Sequence, residues 1–337
     1  MDDRITLDYG SGGAKTSELI ESILLPAFDN QALSRLGDGA LLDGSRKLVF
    51  STDSFVVSPW EFPGGDIGKL SVCGTVNDLC MAGGTPQYLS LSFILEEGFL
   101  FSDFRRIVSS IAEEAKTAGV SIVTGDTKVV EAGKGDGIYI NTAGIGFQRA
   151  DLPGKPGIRP GDAVLVSGSI GCHGAAVMMA RSGLLREDSP LRSDCQPLHR
   201  ISAAAMDAAA DSSSLRILRD PTRGGIATTL NEFTEGMPFS IELEEALLPI
   251  DPAVEAACDI LGLDPLYCAC EGRMLAVCAP GSTDAILEAM HRIPGAEQAA
   301  RIGTVTEELP GKLLLKTSIG GRRILPKLTG LQLPRIC

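Results

Sequence analysis

The stretch Asp103-Phe-Arg-Arg-Ile-Val-Ser-Ser-Ile-Ala-Glu-Glu-Ala-Lys-Thr-Ala-Gly-Val-Ser-Ile-Val-Thr-Gly-Asp-Thr-Lys128 decides the fold class. Its first part places Phe104, Ile107, Val108, Ile111 and Ala115 at i, i+3, i+4, i+7 and i+11. That is the one-face pattern of an amphipathic helix over 103–118, with Ser102 as its N-cap. Val120 to Val123 then reads as a strand ending in the polar turn Thr124 to Lys128. Working outward, Lys47–Phe50, Tyr88–Leu95 and Ile138–Phe147 read as strands, and 67–81 as a helix closed by Gly83-Gly84. After the Pro- and Gly-rich connector Asp151 to Gly161, strands are expected at Ala163–Val166, Phe239–Leu243, Met274–Cys278 and Leu313–Lys316. Helices are expected around 174–183, 198–210, 224–235, 252–261 and 282–292. Strands and helices mix without a strict βαβ rhythm, which predicts α+β rather than a doubly wound sheet.

A chain of 337 residues exceeds one ordinary core, and the connector divides it. The predicted organisation is an N-terminal domain over 1–150, a C-terminal domain over 151–320, and a flexible tail over 321–337. Beyond Gly320-Gly321 no period is visible, but Pro326, Gly330 and Pro334 are. This segment has a reach of roughly 50 Å at about 3.3 Å per residue and ends on a thiol, Cys337. A net charge of -13 argues against nucleic acid or an anionic membrane as partner. Met1-Asp2-Asp3-Arg4 lacks the features of a signal peptide, and no apolar run is long enough to span a bilayer. Nine irregularly spread cysteines without a Cys-x-x-Cys fit reduced thiols in the cytoplasm. Cys268 and Cys270 form the closest pair but lack further ligands at metal spacing.

Five aspartates fall on expected turns, strand ends or helix ends: Asp38, Asp53, Asp78, Asp126 and Asp220. Hard carboxylate oxygens suit Mg²⁺, and loops at strand ends fix side chains for binding. The glycine run ahead of Lys15 and the segment Asp220-Pro-Thr-Arg-Gly-Gly225 each precede an expected helix, where backbone N–H groups converge on anions. Taken singly, each reads equally well as a turn. His199 and His291 read as surface helix residues, and His173, in Gly171-Cys-His-Gly174, as a residue that either lines a site or does not.

Together these motifs give the chain a resemblance to the HypE family of carbamoyl dehydratases, within the AIR-synthetase-like (PurM-type) ATP-binding superfamily. It rests on Gly10-Ser-Gly-Gly13, Phe50-Ser-Thr-Asp-Ser54, Phe62-Pro-Gly-Gly65, Ile67-Gly-Lys-Leu70, Val123-Thr-Gly-Asp-Thr-Lys-Val-Val130, Asn141-Thr-Ala-Gly144, Arg219-Asp-Pro-Thr-Arg-Gly-Gly225 and Pro334-Arg-Ile-Cys337. The terminal motif selects the family within the superfamily. The resemblance implies a homodimer in which residues 1–150 are the ATP-binding and dimerisation domain with a barrel-like core, and a C-terminal α/β domain beside it. It also implies carbamoyl transfer to Cys337 by the transferase HypF, and ATP-dependent dehydration to a thiocyanate. Cyanide then passes to iron on a HypC–HypD scaffold, for [NiFe] hydrogenase.

By the same resemblance Cys337, Lys128 and Glu271 are catalytic, with Glu271 the base. Gly12, Gly13, Asp53, Asp78, Asp126, Thr127, Asp220 and Thr222 meet ATP, and Asp38, Asp53, Asp78 and Asp126 hold Mg²⁺. Tyr9 and Cys172 depart from the family pattern, which often has His and Asp there. Two alternatives stay open: a purine or selenophosphate synthetase type enzyme, which needs no terminal cysteine, and a non-enzymatic thiol carrier, which needs no nucleotide residues.

Overall fold

The computed structural model describes residues 3–11, 14–35, 39–186, 188–328, 333 and 335–337. Gly12, Gly13 and Asp38 lie outside them. The chain opens with α1 (Ala14–Leu19), a π turn, and α2 (Leu25–Phe28). β1 (Leu48–Phe55), the short β2 (Glu61–Phe62) and β3 (Gly65–Asp66), α3 (Ile67–Met81), β4 (Gly84–Glu96), α4 (Phe101–Ala118), β5 (Ser121–Val130) and β6 (Ile138–Gln148) follow. Four of these strands form a sheet of order β1-β6-β4-β5, antiparallel except for β4–β5. Both of its edges, β1 and β5, carry expected site residues.

α4 buries the predicted stripe Phe104, Ile107, Val108, Ile111 and Ala115. Its N-cap is Leu100, which makes no side-chain cap, so Ser102 falls inside the first turn. α3 matches its expected span, but it is buried nearly all round because it lies between the two halves. α3 and α4 cover one face of the sheet. On the other face Leu48, Phe50 and Ile94 are exposed, Phe50 by 68%.

The second half holds β7 (Ala163–Val166), α5 (Cys172–Ser182), α6 (His199–Ala208), β8 (Leu215–Arg219), α7 (Gly225–Thr234), β9 (Ser240–Glu244) and α8 (Pro252–Leu261). It continues with β10 (Leu275–Cys278), α9 (Thr283–His291), β11 (Ala300–Thr306), β12 (Leu313–Lys316) and β13 (Arg322–Leu325). Its seven strands run β13-β12-β9-β11-β7-β10-β8. β7 is buried on both faces: Val164 and Val166 enter a core with Leu230 and Phe233 of α7, while Ala163 and Leu165 enter a larger one. That larger core runs without a break from α3 and α4 to α5, α6 and α9. The halves are therefore packed on each other, which fixes the seam between them.

Two expectations change. Arg322–Leu325 is not free tail but an edge strand antiparallel to β12, because the turn at Gly320 (φ +87) folds it back. The aspartates Asp53 and Asp126 stand inside β1 and β5 rather than beyond their ends, because the pairing to β6 and β4 continues past the apolar runs.

Candidate active site

The last residues of the chain are docked in the seam between the halves. After β1 the backbone runs on through Val56 to Ser58, and the chain end pairs with it antiparallel. Val56 N–H donates to the Cys337 carbonyl at 3.2 Å and Ser58 N–H to the Arg335 carbonyl at 3.2 Å. Arg335 Nε–H returns a bond to the Val56 carbonyl at 3.0 Å, and its guanidinium pairs with Asp136. Arg181, on α5, donates from Nη2 to the Arg335 carbonyl at 2.7 Å and from Nε to the Ser58 carbonyl at 2.7 Å. Leu333 and Ile336 are buried, and burying two such side chains contributes about 1.5–3 kcal/mol each. Gly174 admits this packing: a Cβ there would sit 2.8 Å from Ala269 N and 3.2 Å from Leu333 Cδ1. Arg335 adopts a left-handed backbone (φ +50), a strained conformation of the kind concentrated at functional sites.

The thiol of Cys337 meets Arg223 Nη2 at 3.6 Å, at the start of α7. The thiol also acts on Glu271, Arg223 in turn feels Asp53 and Glu271, and Asp53, Asp78 and Asp220 crowd one another beside them. Glu271 is buried, and its Oε1 has no hydrogen-bond partner among the described residues. Burial, then Cys337, Cys195 and Asp220 in turn, hold its carboxyl well above the usual range. Asp220 directly follows β8; burial first and then Asp78 push it up to about 7. Asp53 keeps an exposed edge, yet its carboxylate lies against α3 near Gly74, and this partial burial with Asp78 raises it to about 6. Asp78, in the last turn of α3, accepts from Ser51 Oγ at 2.6 Å. Thr222 and Arg223 line a cavity of about 310 Å³ beside Leu333 and Ile336.

Asn77 and Asp194 hold this arrangement. Asn77 Nδ2 donates to the Glu271 and Gln196 carbonyls at 3.2 Å each, and its Oδ1 accepts from Leu198 N at 2.7 Å. Asp194 accepts from His173 N at 2.9 Å and Gly272 N at 3.3 Å, so a carboxylate meets the start of α5 from a distant loop. Cys172, at that start, is buried, and burial pushes its thiol up to about 11.

Asp126, Thr127 and Lys128 are not part of this cluster. They stand on β5, at the opposite edge of the sheet. Asp126 accepts from Lys128 Nζ at 2.6 Å, and this bond lowers its carboxyl below the usual range. Lys128 is thus paired and exposed, not placed on Cys337. These three residues, with Gly10, Thr16 and Ile20, line a cavity of about 320 Å³ between β5 and the N-terminal helices. Gly10 is obligatory there, since a Cβ would lie 2.4 Å from Val129 N.

Among the described residues no three Asp, Glu, His or Cys side chains converge closely enough to hold a metal ion. The expected metal ligands are split instead, with Asp53 and Asp78 at the β1 edge and Asp126 at the β5 edge. The other cysteines are buried and unlinked. Cys270 Sγ accepts from Gly171 N at 3.1 Å, and Cys268 Sγ lies 3.8 Å from Cys258 Sγ. Sequence reasoning missed Asn77, Arg181 and Asp194 as site residues; their contacts are long-range and leave no local pattern. No helix among the described residues is long and apolar enough to cross a membrane.

Two family models match: AIR synthase related protein, N-terminal domain, over residues 30–148, and AIR synthase related protein, C-terminal domain, over 159–316. The carbamoyl dehydratase HypE of Cupriavidus necator is 49% identical over 99% of this chain and 95% of its own length. That of Escherichia coli K12 is 42% identical over 99% of each. A crystal structure of hydrogenase maturation protein HypE in complex with ATP superposes with a TM-score of 0.93 at 44% identity, covering 98% of this chain and 99% of that one. A crystal structure of a HypE–HypF complex superposes at 0.79 with 42% identity, over 94% and 100%. The chain belongs to the HypE family of carbamoyl dehydratases, within the AIR synthase related proteins.

Proposed function

We propose that this chain dehydrates a carbamoyl group carried on the sulfur of Cys337 to a thiocyanate, with ATP as co-substrate, as a cytoplasmic step in [NiFe]-hydrogenase maturation. One observation carries the reading: the chain's own terminal thiol is docked beside an unpartnered buried carboxyl, an arginine and a cluster of aspartates. A thiol exposed by accident needs none of these.

Oxide is a hopeless leaving group, and phosphoryl transfer from ATP turns the carbonyl oxygen into phosphate, which departs readily. The nitrogen must give up both protons as the C–O bond breaks. Glu271 accepts one when ionised, and the burial that raises its carboxyl also makes the ionised form a stronger base. The second proton leaves to solvent or phosphate. Arg223, at the sulfur, offsets negative charge that develops on the thiocarboxamide.

Mg²⁺ suits the acidic cluster, since burial and the Asp78 carboxylate raise both Asp53 and Asp220 despite the arginines near them, Arg223 and Arg219. Asp53, Asp78 and Asp126, with Asp38, would hold it, and it would neutralise phosphate charge. Gly10 and the Asp126–Lys128 segment offer a cradle for the nucleotide, with Thr127, Asp220 and Thr222 as further contacts. Because these groups lie at opposite sheet edges, the site is completed by a second copy. The uncovered face with Leu48, Phe50 and Ile94 supports a homodimer that joins the β1 edge of one copy to the β5 edge of the other. A HypF-like transferase loads the tail outside the seam, and a HypC–HypD scaffold takes the cyanide.

Mass spectrometry of the C-terminal peptide tests this. The expected sequence is a carbamoyl adduct on Cys337, then loss of one water once Mg-ATP is added. Modification that persists in Cys337→Ala, or an adduct that ignores Mg-ATP, overturns it.

A further inference from the structure

His173 lies on the first turn of α5, fully buried, with Phe62 edge-on to its ring at 5.2 Å between centroids. Its Nε2 is 2.7 Å from the carbonyl oxygen of Ile336, the residue next to the reactive cysteine. A carbonyl only accepts, so Nε2 carries the proton. Nδ1, 2.8 Å from Ser193 Oγ, is then the acceptor of the serine hydroxyl. That same oxygen accepts from Cys195 N at 3.0 Å, and Ser193 N donates to the Pro63 carbonyl at 2.7 Å. The tautomer and the ring angle are therefore set from the 193–195 loop, and that loop from the β2–β3 turn.

We infer that His173 is the positioning residue for the tail: its Nε2–H grips the Ile336 carbonyl and thereby sets the Cys337 sulfur against Arg223 and Glu271. The inference rests on the dehydration reading above. Its geometry is specific. Of the other direct polar contacts of the tip, those at Val56, Ser58, Asp136 and Arg181 lie along residues 56–58 or hold Arg335, and Arg223 meets the sulfur itself. His173 alone among the described residues bonds the Ile336 carbonyl, from the opposite side. Without it the last peptide pivots about the strand pairing, and the thiol is no longer held at a fixed distance from the base. His173 touches neither the sulfur nor the transferred atoms, so loading of an undocked tail does not involve it.

The test uses the full-length protein and two variants. His173→Phe keeps the ring beside Phe62 and removes the donor; His173→Gln restores a donor near the position of Nε2. For His173→Phe the expected result is iodoacetamide alkylation of Cys337 faster by about tenfold and water loss from the carbamoylated tail slower by about tenfold. Carbamoylation by the transferase and the KM for ATP stay at parental values, and His173→Gln recovers most of both changes. Equal alkylation and dehydration rates in His173→Phe and the parent overturn the inference, as does a folded His173→Gln no better than His173→Phe. If the parent shows no ATP-dependent water loss, the dehydration reading fails, while the alkylation comparison still reads the positioning role. Should His173→Phe fail to fold, ¹⁵N-histidine spectra of the parent decide. A slowly exchanging Nε2–H that is lost when the tail is pulled out by a saturating transferase supports the inference, and its absence overturns it.

Discussion

The two edges of the N-terminal sheet hold the same kinds of residue in opposite conditions. At the β1 edge, Asp53 faces α3 with Asp78, and burial first and then the Asp78 carboxylate raise it to about 6. At the β5 edge, Asp126 faces solvent, is paired with Lys128 and is lowered instead. At one edge burial and neighbouring carboxylates outweigh the arginines nearby; at the other a cation is spent on its own neighbour. The difference teaches that neither edge is a finished site. Under the proposed function, a cation and a nucleotide between them would satisfy both, with a second copy bringing a β5 edge to a β1 edge.

The strongest way to break that comparison is to remove its most stressed group. Glu271→Gln is expected to slow dehydration by about 10²–10⁴-fold, as for loss of a general base, while carbamoylation of Cys337 stays intact. It also has a stability signature. Glu271 in the folded chain holds a proton that the unfolded chain loses near its ordinary pKa of 4.5, so folding binds protons and stability falls as pH rises above that value. The variant has no such loss. Its melting temperature should match the parent at acid pH and exceed it at pH 8, by about 1–2 °C per kcal/mol recovered. A parent that melts higher than the variant at pH 8 rules this out.

Next comes the sharing of the site. Asp53→Asn and Asp126→Asn should each be inactive alone. In a randomly mixed population of the two, about a quarter of the sites pair an intact β1 edge with an intact β5 edge, because the two-fold axis makes the sites equivalent. Return of about a quarter of parental water loss supports a shared site; no return places both residues in one copy's site. Phe50→Glu, tested by sedimentation, should abolish the proposed dimer by placing a charge on the uncovered face, and a parent that sediments as a monomer overturns the shared site.

Much of the fold was legible where residues repeat. Ile67–Met81, Ala163–Val166 and Leu313–Lys316 fall where apolar pattern and glycine punctuation put them. β11 was missed, because Arg301, Gly303 and the threonines interrupt its pattern; Gly303 is there since a Cβ would lie 2.4 Å from the Glu242 carbonyl. The strand expected over Lys47–Phe50 stops short of the polar run Ser51 to Ser54, yet the pairing with β6 continues to Phe55 opposite Ile140. The site was legible as a set of residue types and illegible as a place. Asp53 and Asp126 look alike in sequence, and only strand order separates them to opposite edges. The tail showed no period because its main polar anchors are backbone carbonyls and N–H groups, which any sequence possesses.

The smallest expected effect sharpens how the tail is held. Arg335 pairs with Asp136, and both side chains are roughly half exposed. Such pairs contribute about 0.2–1 kcal/mol and weaken with salt. Asp136→Ala should therefore raise the alkylation rate of Cys337 by no more than about fivefold, and by less as salt is increased. Arg335→Ala removes the same pair and also the Nε–H bond to the Val56 carbonyl, so it should exceed Asp136→Ala at every salt concentration. If the two variants are equal, the Nε–H bond to the Val56 carbonyl adds nothing at the tip, and the ion pair is all that the Arg335 side chain supplies there. The excess that remains at high salt measures the hydrogen bond alone, because screening removes the charge attraction and leaves the short-range contact in place.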